Sequence, residues 1–275
     1  NYLYYLATPP LLYGVIPSHL KAEGLNRDGD GFRRIVVEKP FGYDLSSALE
    51  LNRIYLDAFR EEQIYRIDHF LGKETVQNIL ALRFANSEPL WNRNYIDYVE
   101  ITAVENMGIG TRGGFYDGVG TLRDMVQNHL AQLLAVTAME PPAAFDASGF
   151  RNEVVKVYQS LTPLTGEDIR HSVVRGQYMA SEGRKGYREE EQVPTLSRTE
   201  TYLAMRLELN NWRWGGVPFY IRTGKQMPTK VSEIVIHFKP APYSLFRCEG
   251  GTCPVPNRLV IRIQPNEGIV LRIGM

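Results

Sequence analysis

The sequence predicts an α/β arrangement followed by α+β. The second half of a doubly wound parallel sheet comes first, then a domain with a large antiparallel sheet and packed helices. Three observations carry this. Strand and helix signals alternate through the first third of the chain. After about Asn86 the pattern changes to long strands of period-two alternation joined by tight turns. A long amphipathic helix, 121–139, lies between the first two of those strands.

The elements follow in order. Residues 2–7 read as a strand, Thr8-Pro9-Pro10 breaks it, and a helical stretch begins at Leu11. Arg34-Ile35-Val36-Val37-Glu38 is a short β-branched run of the kind found in a parallel strand buried on both faces. Asp44 is a good N-cap for a helix in which Leu45, Ala48, Leu49, Tyr55, Leu56 and Phe59 recur at helical spacing. Residues 63–67 make a third strand, and a helix over about 74–84 completes β-α-β-α-β-α. The later strands are 98–105, 202–209, 218–222 and 233–239, with 259–264 paired to 269–273 across Pro265-Asn266-Glu267-Gly268. The domains are expected at 1–72 and 73–275.

Composition narrows the function. With 275 residues, 44% apolar and 23% charged, the chain is an ordinary core-forming protein, which excludes disorder, coiled coil and collagen. Its 31 basic and 31 acidic residues cancel, and no block of like charge occurs, which argues against a dedicated nucleic-acid or membrane-surface binder. No apolar run approaches the roughly 20 residues that span a bilayer, and the N-terminus lacks the order of a signal peptide, so a cytoplasmic location is expected. Cys248 and Cys253 lack a C-x-x-C spacing and read as two unremarked thiols, with no metal site. Asn1 stands inside one apolar run and Met275 just after another, so neither end reads as a natural terminus.

The long helix carries an anomaly. Leu122, Met125, Val126, Leu130 and Leu133 form its apolar stripe, and His129 sits at the centre. Such a histidine is either a core residue satisfied by a hydrogen bond or a base facing a pocket. A base needs a carboxylate to fix its tautomer. Asp124, five residues back, lies about 140° around an ideal helix, so Asp68 is the better candidate. Asp68 and His69 follow the third strand, with Gly72 and Lys73 opening the next helix, and Lys39-Pro40 ends the neighbouring strand likewise. Ligands of open α/β sheets bind at such carboxyl ends. Lys39, Asp68, His69 and Lys73 on one rim suit a phosphate beside a proton-transfer centre. The segment 108–113 matches G-x-G-x-x-G but follows an antiparallel-type strand without opening its helix directly, so it is no dinucleotide fingerprint. Lys225 and Lys230, in the segment 222–230, read by themselves as part of a solvated turn.

Tyr65-Arg66-Ile67-Asp68-His69-Phe70-Leu71-Gly72-Lys73-Glu74 resembles the substrate-site signature of the glucose-6-phosphate dehydrogenase family. So do, in the same order along the chain, Glu38-Lys39-Pro40-Phe41-Gly42, Arg83-Phe84-Ala85-Asn86, Trp91-Asn92-Arg93, Arg123-Asp124 with Gln127-Asn128-His129, Val217-Pro218-Phe219 with Gly224-Lys225, and Gln264-Pro265-Asn266-Glu267. The resemblance spans the chain. It implies a Rossmann-like first domain and hydride transfer from C1 of D-glucose 6-phosphate to NADP, giving 6-phosphogluconolactone in the oxidative pentose phosphate pathway.

The resemblance implies that His129 is the general base and that Asp68 orients it. His69 and Lys73 would hold phosphate, Glu105 and Asp124 the sugar hydroxyls, and Lys225 and Lys230 the substrate's far side. Lys39 would touch both substrate and cofactor, and Tyr13 the cofactor. Two departures stand out. Phe70 replaces a tyrosine frequent in the family. The glycine-rich loop and first βα units that carry the nucleotide have no counterpart, nor does the end of the large sheet, so the chain is expected to be an internal fragment, inactive alone. A non-catalytic sugar-phosphate-binding or oligomerisation module is the alternative. A homodimer or homotetramer is expected, since a large sheet must cover its second face or edge.

Overall fold

A computed structural model describes residues 1–243 and 255–274; Cys248 and Cys253 lie outside the described residues. The chain divides into two units, Asn1–His69 and Phe70–Met275, parting just before the Phe70-Leu71-Gly72 stretch at which the sequence places the domain end.

The first unit holds β1 (Tyr2–Leu6), α1 (Val15–Ala22), β2 (Arg33–Val37), α2 (Leu45–Ala58) and β3 (Ile64–Arg66). Its strands form one parallel sheet in the order β1-β2-β3, with Tyr4 opposite Ile35 and Ile35 opposite Ile64. The β-branched run is buried as its composition requires: Ile35, Val36 and Val37 are all in the interior. Leu6, Ile35, Val37 and Ile64 pack with Tyr13, Tyr55, Ala58 and Phe59 from the helical connections. Asp44 caps α2 as expected. Its carboxylate accepts the Ser47 N–H at 2.8 Å, and the Ser47 hydroxyl accepts the Asp44 N–H at 3.0 Å.

The second unit contains α3 (Glu74–Leu82), β4 (Ile96–Val104), α4 (Gly113–Asp117), α5 (Ala131–Ala138), α6 (Ala147–Gln159), α7 (Gly166–Ser172) and β5 (Val173–Gly176). Then follow β6 (Tyr202–Glu208), β7 (Pro218–Gly224), β8 (Val231–Phe238), β9 (Arg258–Gln264) and β10 (Gly268–Arg272). The strands form a seven-stranded sheet in the order β10-β9-β8-β4-β7-β6-β5. Alternation predicted an antiparallel sheet, but this one is mixed: β4 and β7 run parallel, Val99 opposite Phe219 and Val104 opposite Gly224. Alternation reports which face is buried, and both strand directions share it.

The predicted helix 121–139 is not uniform. Leu122–Leu130 is a π-helix that continues as α5. Met125, Val126, His129, Leu130 and Leu133 are buried, whereas Leu122, predicted in the stripe, is 36% exposed. The far end of α5 is closed with unusual completeness. Arg83 donates to the carbonyls of Val136 (2.9 Å) and Met139 (2.6 Å), Trp91 Nε1 to Thr137 (2.7 Å) and Trp214 Nε1 to Ala138 (2.8 Å). These are the carbonyls a helix end leaves without partners. Burial lowers the Arg83 guanidinium to about 10, opposed by Glu88 beside it. No helix among the described residues is long and apolar enough to cross a membrane.

The G-x-G-x-x-G segment also has a packing reason. A Cβ on Gly113 would lie 2.0 Å from the Glu191 carbonyl oxygen, so that glycine admits a close backbone neighbour.

Candidate active site

In the first unit, parallel pairing brings the carboxyl ends of all three strands to one edge. Thr8 lies beyond β1, Lys39 beyond β2, and Asp68 and His69 beyond β3. Lys39 and Asp68 are half-buried and His69 is exposed. The Thr8 hydroxyl is buried without a hydrogen-bond partner among the described residues, at the edge where open α/β sheets take ligands. Tyr13 packs in the unit's core, 3% exposed, and burial pushes its phenol upward.

The second unit gathers the remaining candidates through its sheet. Because β4 and β7 are parallel, their carboxyl ends lie side by side, and the residues that follow them, Glu105 and Lys225, meet. Lys225 Nζ is 2.5 Å from Glu105 Oε2 and 3.5 Å from Asp124 Oδ2. Lys225 is only 4% exposed, so the turn reading taken from the sequence fails at this residue. A buried ammonium requires such partners. It also stands 5.5 Å from the centroid of the Tyr116 ring, whose own phenol burial pushes upward. Gln226 follows in the left-handed region at φ 54°, turning the chain sharply after Lys225. Lys230 precedes β8, whose Val231 pairs with Val104, so it reaches the same edge and is exposed.

Asp124 and His129 sit on the π segment, which packs on β4 and β7. The ideal-helix geometry that set them about 140° apart does not apply. With i→i+5 bonding each residue turns through less than the ~100° of an α-helix, so a spacing of five brings the two nearer to one face. His129 is 1% exposed, and Phe70 stacks on its ring with centroids 4.2 Å apart and planes 20° from parallel. Lys73, the N-cap residue of α3, places Nζ 5.4 Å from the centroid of that same Phe70 ring. The first turn of α3 is fixed by Thr75, whose hydroxyl donates to Glu267 at 2.6 Å, which gives the Gln264–Glu267 motif a structural purpose.

Two groups of residues have a supporting role that the sequence reading did not assign. Arg83, Trp91 and Trp214 close α5, and Glu200 anchors the head of the π segment by accepting the Leu122 N–H at 3.1 Å. Glu200 is distant in sequence and its neighbourhood has no periodicity to mark it. An arginine inside an apolar helix was the available signal for Arg83.

Family comparison covers both units. The model described as glucose-6-phosphate dehydrogenase, C-terminal domain, matches residues 80–275, and that described as glucose-6-phosphate dehydrogenase, NAD binding domain, matches residues 1–78. Glucose-6-phosphate 1-dehydrogenase of Aggregatibacter actinomycetemcomitans is 57% identical over 281 residues, covering 100% of this chain and 56% of that protein. Its counterpart in Treponema pallidum (strain Nichols) is 52% identical, covering 100% of this chain and 55% of that protein. A solved glucose-6-phosphate dehydrogenase in complex with its substrate glucose-6-phosphate superposes with a TM-score of 0.89 at 40% identity, covering 98% of this chain and 54% of that one. The chain thus spans little more than half the length of these relatives. With both domain models matched in sequence order and the fold shared over nearly the whole chain, this protein belongs to the glucose-6-phosphate dehydrogenase family.

Proposed function

We propose that this chain carries the substrate site of an oxidoreductase that transfers hydride from C1 of D-glucose 6-phosphate to NADP, releasing 6-phosphogluconolactone. The observation that carries the proposal is the juxtaposition in the second unit. A buried lysine bridging two carboxylates, Lys225 with Glu105 and Asp124, shares the Asp124-bearing π segment with a buried histidine. Carboxylates and an ammonium recognise sugar hydroxyls by charge-assisted hydrogen bonds.

In this proposal His129 takes the proton of the C1 hydroxyl, a very weak acid whose carbon cannot release hydride alone. A positioned base contributes about 10²–10⁴-fold. Asp68 is assigned as the carboxylate that holds the imidazole, by resemblance to the family. Lys73 and His69 take the phosphate, Glu105 and Asp124 the hydroxyls, and Lys225 and Lys230 the far side of the sugar. A nicotinamide cofactor, once bound, supplies the hydride acceptor. The first unit has features that fit one: the unpartnered Thr8 hydroxyl and Lys39 at the carboxyl edge of a parallel sheet. Tyr13, also assigned to the cofactor by resemblance, follows β1 and is packed in the core. A cytoplasmic homodimer or homotetramer completes the proposal.

The test is NADPH formation, followed by absorbance, in a chain extended to the full length of the relatives. Reduction of NADP with glucose 6-phosphate and far less with glucose is expected. Sugar-phosphate binding without any reduction would favour a binding module instead.

A further inference from the structure

Glu200 collects the donors at the head of the π segment. Its carbonyl accepts the Thr121 N–H and the Thr121 hydroxyl, each at 3.1 Å, and its carboxylate accepts the Leu122 N–H at 3.1 Å. Arg175 Nη2 holds the other carboxylate oxygen at 2.9 Å. The backbone is shaped to admit this group: at Gly120, where φ is +72°, a Cβ would lie 2.8 Å from Glu200 Oε1. The opposite end of the same helical run is tied through the carbonyls of residues 136–139 to Arg83, Trp91 and Trp214.

A run clamped at both ends cannot exchange one ladder for another. The π ladder of Leu122–Leu130 carries more residues per turn than an α-helix, and relaxing to α requires one end to rotate and slide. The exchange has a chemical consequence. In the π ladder Asp124 and His129 lie nearer to one face, whereas in an α ladder they would diverge by about 140°. The C-terminal clamp is buried and made by three side chains, so the N-terminal one is where the register can be released.

We propose that Glu200, braced by Arg175, is a positioning residue that locks the π register and thereby the joint placement of Asp124 and His129. Its link to turnover rests on the reading of His129 as the base, but the register itself does not. Glu200 acts from outside the reacting set, through the Leu122 N–H.

Two substitutions separate reach from charge. E200D keeps the charge but withdraws the carboxylate by one methylene, and E200Q keeps an oxygen at the original reach. The histidine ring nitrogens of the 275-residue chain, five histidines in all, are to be labelled and followed by NMR. In E200D the His129 signals are expected to move while those of His19 and His237 stay. In E200Q all should remain near their original positions. In the extended chain E200D should lower kcat about 10- to 100-fold, the scale of an ångström-size misplacement, with E200Q recovering most of it. Unmoved His129 signals and unchanged kcat in E200D, or equal effects of the two variants, would overturn the proposal. Absence of sugar-phosphate oxidation in the unsubstituted extended chain would instead defeat the functional reading alone, because the ring signals need no substrate.

Discussion

Phe70 lies face to face with the imidazole of His129, ring centroids 4.2 Å apart. The same ring receives Lys73 Nζ at 5.4 Å on the residue that opens α3. One aromatic side chain therefore sets the plane of the proposed base and neighbours the proposed phosphate ligand. Phe70 here serves packing against the imidazole.

Removing that ring should loosen the imidazole. F70L, which keeps apolar volume, is expected to lower kcat about ten-fold with a smaller change in KM for the sugar phosphate, as expected when a base loses orientation rather than substrate contact. F70Y should be close to neutral or lower KM. Steady-state kinetics on the extended chain decides; equal loss of kcat in both variants would assign the effect to packing in general.

Lys73 provides a test of the phosphate assignment. K73A should raise KM for glucose 6-phosphate at least ten-fold, as expected for loss of a charge-assisted contact, and leave the weak use of free glucose nearly unchanged. Measuring both substrates side by side separates phosphate recognition from general damage.

Acid stability should report on the cluster beside the end of α5. The Arg213 guanidinium, hydrogen-bonded to Glu140, holds that carboxyl below its ordinary value of 4.5. A carboxyl depressed in the folded state adds stability that is fully present above the unfolded value and is lost as pH falls through the folded one. Thermal unfolding should therefore show a steeper drop in Tm below about pH 4.5 in the original chain than in E140Q. Parallel Tm–pH curves would remove Glu140 from this account.

Much of the fold was legible because its signals are local. The β-branched run at Ile35, Val36 and Val37, the Asp44 cap and the alternating strands each declare themselves within a few residues. The parallel β4–β7 pairing was not legible, since strand direction depends on a partner more than a hundred residues away, and the meeting of Glu105 with Lys225 follows from it. The π ladder was hidden for the same reason. Nothing in 122–130 distinguishes it from an amphipathic α-helix, and Glu200 contacts it from a distant segment. His129 was visible as a polar residue in an apolar stripe, whereas burial of Lys225 contradicted the local reading of a solvated turn.

The account depends most on His129 being the base. In the extended chain, H129N should lower kcat by 10² or more while sugar-phosphate binding, measured by calorimetry, stays within a few-fold of the original, since a lost proton acceptor affects the transition state rather than the ground state. A turnover near the original value, with binding intact, would contradict it.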